Sequence, residues 1–472
     1  MNPMKQFTSF IFDSYSFDAA TRTISLNYGL DDEIQFTETI TLPTDSPLAD
    51  YNNAALDRAL FALHMIGGIS YYKTCLPKKI EIKSGSLSKE EAAFWKKVYE
   101  NGLGEYFYKN NIDFRGLINF PITADTTQSE TAGGSFDTTQ DKNARSGGNI
   151  DKKNQQSQFQ SPHSKVLVPL GGGKDSTVTV ELLKEAGFDC TLIRMEPHPL
   201  IDVLAKEIGL PMLEIKRSLS PALFELNKDG ALNGHIPITA YLSFLLIVVG
   251  ILYGYDAIAM SNERSANEGN VEFHGKMINH QWSKGLEFER MLQNYLSMTI
   301  GSSIKYFSLL RPLSEIHIAR LFSKYPQYLT LTTSCNANWK IVKEKSAERW
   351  CQRCPKCAFV FAILTPFIPK KTLMEMFGKN LLDDESLIPL YKELLGIENY
   401  KPFECVGTPE ETLAAFILAH ENNEWKEAAA MKMALEEANL PDDVHGMIEQ
   451  QFTPVADHAI PSEYKGKFPF FA

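Results

Sequence analysis

Residues 166–177 read VLVPLGGGKDST: an apolar run, three glycines, then charged and hydroxyl side chains. Gly171, Gly172 and Gly173 let backbone N–H groups converge on an anion, and a helix starting directly behind them adds the positive end of its dipole. Lys174 adds a point charge, while Ser176 and Thr177 can donate hydroxyls. Asp175 would repel a bare phosphate, but it makes sense if it holds Mg²⁺ on a pyrophosphate. Neither common phosphate loop fits. The Walker pattern wants glycine at position 168 and Ser or Thr after the lysine, where Val168 and Asp175 stand, and the dinucleotide pattern lacks its third glycine.

A second constellation is built from sulfur. Seven cysteines occur, at 75, 190, 335, 351, 354, 357 and 405. An odd number with four bunched together is no disulfide framework and fits a reducing cytoplasm. Cys335, Cys351, Cys354 and Cys357 have C-x15-C-x2-C-x2-C spacing, which can close a tetrahedral Zn²⁺ shell. Four thiolates leave no position for water, so the expected metal is structural.

Other candidates are scattered. SNERSANEGN (261–270) offers Arg264 to grip a carboxylate or phosphate, and Glu263 or Glu268 as a base or Mg²⁺ ligand. HQWSK supplies His280 and Lys284, and His458 lies in a C-terminal loop. Cys405 precedes a helix start, a position that favours thiolate and makes it a candidate base.

The elements that must position these groups can be read from periodicity. Residues 7–42 alternate in short runs separated by turns, predicting antiparallel strands. Helices follow, one of them opened by Ser88 with Glu91, and residues 1–123 read as an α+β domain. Residues 124–163 carry too few large apolar side chains to offset ordering entropy and read as a disordered linker. From 164 to 334 apolar strands alternate with helices, predicting an α/β domain with a doubly wound parallel sheet. SNERSANEGN follows one of those strands, at the carboxyl edge of the sheet where ligands bind. The cysteine knuckle spans 335–364, and 365–472 is helical, with Thr408 an N-cap before Pro409.

Net charge is -11, which argues against a nucleic-acid partner. The most apolar stretch, 238–254, is shorter than a membrane span and reads as a buried helix.

The loop Gly171–Ser176 resembles the S-G-G-x-D-S pyrophosphate loop of the N-type ATP pyrophosphatases (PP-loop enzymes), with Gly171 in place of the first serine. The cysteine knuckle resembles that of 7-cyano-7-deazaguanine synthase, and FSLLRPLSEIHIARLF before it resembles the same group's Pro-Leu…Glu-Ile element. GISYYK, NGLGEYFY, SNERSANEGN, WCQRCPKC and PFECVGTPEE together resemble the UDP-N-acetylmuramoyl-L-alanyl-L-glutamate epimerases, over nearly the whole chain outside 124–163. This implies inversion of the terminal L-Glu of UDP-N-acetylmuramoyl-L-Ala-L-Glu, a peptidoglycan precursor, with ATP and Mg²⁺. The substrate would come from a companion L-glutamate-adding ligase. Chemistry explains the need for ATP. A Cα–H beside a free carboxylate is barely acidic, whereas an acyl-adenylate removes the charge and makes the carbonyl an electron sink. Two other readings stand beside it. One is an adenylating enzyme that forms an amide or nitrile or modifies tRNA, as 7-cyano-7-deazaguanine synthase-like proteins do; the other is a nucleotide-sensing module.

Overall fold

The computed structural model describes residues 7–122, 164–339 and 348–471. The expected linker at 124–163 lies outside them. The predicted strands at the start are β1 (Ser9–Asp18), β2 (Thr23–Leu30) and β3 (Ile34–Thr41), an antiparallel meander. Then come α1 (Asn53–Gly67), α2 (Ile69–Tyr72), β4 (Lys79–Ile82) parallel to β1, α3 (Lys89–Gly102) and α4 (Gly104–Lys109). Ser88 and Glu91 form the expected capping box of α3. The alternating segment contains β5 (Lys165–Pro169), α5 (Lys174–Glu185), β6 (Asp189–Met195), α6 (Pro199–Ile208) and β7 (Met212–Ser218). It continues through α7 (Pro221–Lys228), α8 (Ile238–Tyr253), β8 (Ala257–Met260), the hairpin β9 (Val271–Phe273) and β10 (Lys276–Ile278), α9 (Leu286–Tyr295), β11 (Lys305–Ser308) and α10 (Glu315–Phe322). The C-terminal helices include α11 (Pro355–Leu364), α12 (Lys370–Phe377), α13 (Ile388–Leu394), α14 (Pro409–Glu421), α15 (Ala429–Glu437) and α16 (Val444–Phe452).

Nine strands form one sheet in the order β11-β8-β5-β6-β7-β3-β2-β1-β4. The run from β11 to β7 is parallel, and its central strands β5 and β8 are apolar on both sides because both faces are covered. Val166, Val168, Leu192 and Ala259 pack in one core with residues of α5, α6, α10 and α11. Leu167, Ile193, Ile258 and Met260 pack in the other with residues of α1 and α8. The apolar stretch 238–254 is the buried α8, and among the described residues no helix is long and apolar enough to cross a membrane.

β3 joins antiparallel to β7, so the sheet runs without a break from the first segment into the second. Glu38, fully buried on β3, takes both the Nε and an Nη of Arg217 on β7, at 2.8 and 3.0 Å. The hydroxyls of Tyr71 and Tyr241 donate to the same carboxylate at 3.0 and 2.7 Å. Every lone pair of a buried charge is thereby used. Glu38→Ala strands Arg217 in the core and is expected to lower unfolding free energy by about 3–5 kcal/mol in urea titration.

Candidate active site

The phosphate-type loop follows from the end of β5. Leu170 N–H still bonds to β6, at 2.9 Å from the carbonyl of Ile193. Gly172 then turns with φ of 83°, a left-handed value that glycine adopts without strain, and its carbonyl accepts from Thr333 N–H at 2.8 Å. A Cβ on Gly173 would lie 3.3 Å from Ser334, whereas one on Gly171 would meet nothing within 4 Å. The loop is therefore packed on one side and open at Gly171. Gly173 is the N-cap of α5 and has no side chain to cap it, so the first-turn N–H groups have no capping oxygen. The hydroxyls of Ser176 and Thr177 turn back to the Gly173 carbonyl, at 3.2 and 3.0 Å.

Around the start of α5 lies a buried cluster of alternating charge. Lys174 pairs with Asp175 and with Glu315, the first residue of α10. Lys356, in the first turn of α11, stands 3.4 Å from the other oxygen of Glu315. Ligand oxygens of Asp175, Glu263 and Glu315 lie within 4.8 Å of one another. Burial would push the Glu315 carboxyl up, but Lys174 and Lys356 overcome it and hold it at about 2. Burial, with Glu315 beside it, raises Glu263 above the usual range. Three converging carboxylates beside the glycine loop have the donor chemistry of a divalent-cation site. Glu411 braces the arrangement: Thr408 is the expected N-cap of α14, the Glu411 carboxylate extends it to a capping box, and that carboxylate also accepts from Glu315 N–H at 2.7 Å.

The second cluster surrounds Cys405. Lys284 Nζ is 3.1 Å from its sulfur, His280 is hydrogen-bonded to it, and Lys356 donates to its carbonyl. His280 Nδ1 meets Glu105 of α4, and His235 Nδ1 is 3.5 Å from the same carboxylate. Burial opposes charge on the sulfur, yet Lys284, then His280 and Lys356, bring the thiol down to about 5. Burial likewise opposes charge on His280, but Cys405 and Glu105 raise it to about 9. Sequence reasoning looked to the helix start at Pro409 for this thiolate; the structure adds a ring of cations.

Two buried side chains hold these groups in place. Arg311, paired with Glu289 at 3.0 Å, donates to the backbone carbonyls of Glu263 and Lys284. Asn270 accepts from His280 N–H at 2.8 Å and donates to the carbonyl of Pro402 at 2.9 Å.

Of the sequence candidates, Lys174, Asp175, Glu263, His280, Lys284 and Cys405 come together in these clusters. Arg264 turns instead to α16, where its guanidinium bonds to Gln451 at 2.9 Å. Glu268 is exposed. His458 accepts from Ile460 N–H at 3.2 Å beside Phe471. Glu105, Glu315 and Lys356 were not picked out, although each lies inside a motif singled out above: NGLGEYFY, FSLLRPLSEIHIARLF and WCQRCPKC. His235 carried no signal.

The four clustered cysteines also converge, with sulfurs within 4.8 Å of one another. Cys357 Sγ is 3.8 Å from Cys351 Sγ and 3.5 Å from Cys354 Sγ, and Cys335 Sγ accepts from Cys351 N–H at 3.3 Å. None is in a disulfide. A tetrahedral shell with Zn–S of about 2.3 Å puts sulfurs about 3.8 Å apart, so this set can bind a metal. Cys354 caps α11, which carries Lys356 in its first turn, so the cluster sits at the base of the charged site.

Residues 1–309 match the family described as the MurL N-terminal domain, and residues 331–447 match the MurL C-terminal domain. A relative from Micromonospora is 39% identical over 98% of this chain and 98% of its own. One from Xanthomonas oryzae is 38% identical over 97% of this chain and 96% of its own, and one from Salinispora tropica 37% over 98% and 95%. Each is named UDP-N-acetyl-alpha-D-muramoyl-L-alanyl-L-glutamate epimerase.

Proposed function

Since this chain belongs to the MurL family of epimerases, we propose that it inverts the terminal L-Glu of UDP-N-acetylmuramoyl-L-Ala-L-Glu to D-Glu through an acyl-adenylate, consuming ATP and releasing AMP and pyrophosphate. The carrying observation is Lys356. It touches Glu315 in the carboxylate cluster and the carbonyl of Cys405 in the thiolate cluster, so a group activated at one lies beside the other.

In this reading the glycine loop and the start of α5 hold the outer two phosphates of ATP, and Lys174 shifts from its carboxylate partners toward them. The substrate α-carboxylate attacks the inner phosphorus. Asp175, Glu263 and Glu315 would hold Mg²⁺, which supplies charge neutralisation for the phosphates. With the carboxylate esterified, the Cα proton becomes removable, and the Cys405 thiolate takes it. Lys284 and Lys356 put positive charge where the enolate oxygen develops. A proton delivered from solvent to the other face inverts the centre, the Cys405 thiol gives its proton up to solvent, and water hydrolyses the adenylate to carboxylate and AMP. A companion ligase supplies the L-glutamyl substrate, and ATP with a UDP-linked precursor sets the compartment as the cytoplasm. The test is chiral analysis of the product glutamate after incubation with the dipeptide precursor. D-Glu appears only when ATP and Mg²⁺ are both present; its formation without ATP refutes the reading.

We also assign the cysteine cluster a structural Zn²⁺ held by Cys335, Cys351, Cys354 and Cys357. Elemental analysis of the purified protein is expected to find stoichiometric zinc. Cys354→Ser is expected to lose the metal and melt at lower temperature, because binding free energy at such a site is folding free energy. Metal-free protein of unchanged stability in that variant would contradict the assignment.

A further inference from the structure

The sulfur of Cys405 stands at one end of a buried polar chain that ends on another element. His280 bonds to the sulfur on one side and, through Nδ1, to Glu105 on the other. Lys109, one turn along α4, pairs with the second oxygen of Glu105. The His235 ring lies 4.5 Å from that of His280. The assembly is clamped at both ends. Asn270 ties the His280 backbone to the loop before Cys405, and Phe403 of that loop stacks on Tyr108 of α4 at 5.2 Å. Apolar side chains of similar volume would satisfy the packing without the desolvation cost of a buried imidazole and carboxylate. The alignment of sulfur, imidazole and carboxylate therefore points to chemistry.

We propose that Glu105 and His280 are positioning residues: Glu105 orients His280 as an imidazolium, and His280 holds the Cys405 sulfur as a thiolate ready to accept the Cα proton. The proposal rests on the reading of Cys405 as the proton-transferring group. The thiolate becomes a thiol when it takes the proton, and the imidazolium keeps its own, so Glu105 and His280 gain and lose nothing across the step. The titratable and charged groups facing the pair are Lys284, Lys356 of α11, Glu404, His235, and Glu105 and Lys109 of α4. His235 is held neutral, pushed down to about 3 by burial and then by His280. With the thiol lowered to about 5 and the imidazolium raised to about 9, the pair is charged between those limits. It is lost below the first, where sulfur protonates, and above the second, where imidazole deprotonates.

The experiment alkylates the full-length protein with iodoacetamide, without ATP or substrate, and follows Cys405 by peptide mass spectrometry as a function of pH. Wild-type reactivity is expected to rise near pH 5. In His280→Asn and Glu105→Gln the rise moves up by about 1–3 pH units, the effect of losing an adjacent opposite charge directly or through its partner. Over the same range kcat falls in both variants; in Glu105→Gln its pH window narrows from both sides, in His280→Asn only the lower limit moves up, KM changes little, and Glu105→Asp restores part of the window. Wild-type pH dependence of alkylation in both variants overturns the relay. A fully active Cys405→Ser overturns the reading of Cys405 beneath it, so the two failures are distinguishable.

Discussion

Asp175→Asn is expected to lower pyrophosphate release and glutamate inversion together, by about 10²–10³-fold in kcat, the scale of losing one electrostatic contact to a charge-developing centre. Asp175 is the least buried of the three converging carboxylates, its side chain 24% exposed against 1% for Glu315. Its replacement should leave the fold intact, because Lys174 keeps Glu315 as a partner. Glu315→Gln is a poorer probe, since it takes the carboxylate partner of buried Lys356 and one of the two partners of buried Lys174, and mixes lost catalysis with lost stability. A coupled pyrophosphate assay on Asp175→Asn, with melting temperature as the control, separates the two. Wild-type turnover in that variant would remove the loop from the reaction.

Cys405→Ser should divide the reaction instead of stopping it. Serine keeps the shape but is not ionised beside Lys284, so proton abstraction falls by about 10²–10⁴-fold, the usual share of a positioned base. ATP cleavage to AMP depends on the other cluster and should persist with the dipeptide present. Run in heavy water, the wild type is expected to place deuterium at Cα of glutamate, and the variant to release AMP with that carbon unlabelled and unchanged in hand. Undiminished inversion in the variant would assign the proton transfer to another group.

What the chain discloses in advance depends on how far apart the interacting residues stand. The glycine loop, the Ser88 capping box, the Thr408 N-cap and the Cys-x-x-Cys pairs act within a few residues of themselves, and each is where sequence reasoning expected it. Partners far apart were not legible. Cys405 and Lys284 are separated by 121 positions, and His280 and Glu105 by 175. Cys405, Lys284 and His280 stand out singly as candidates, but only the fold pairs them with one another and brings Glu105 to them. Arg264 is the opposite case. A lone arginine after a strand at the ligand-binding edge reads as a substrate grip, but a glutamine 187 positions later takes it. Glu38 lies on an alternating strand where a charge ordinarily faces water, yet it is fully buried because β7 pairs there and brings Arg217. The same pairing explains why a meander that reads as a separate module extends the sheet of the next segment.

Which bond of ATP breaks, and where its inner phosphate goes, decides whether the carboxylate is activated before inversion. The most direct measurement gives the enzyme a dipeptide precursor carrying heavy oxygen in the glutamate α-carboxylate and reads the nucleotide product by mass spectrometry. The expected result is AMP bearing one heavy oxygen, formed in step with D-Glu. ADP as the product, or inversion with ATP left whole, would contradict it.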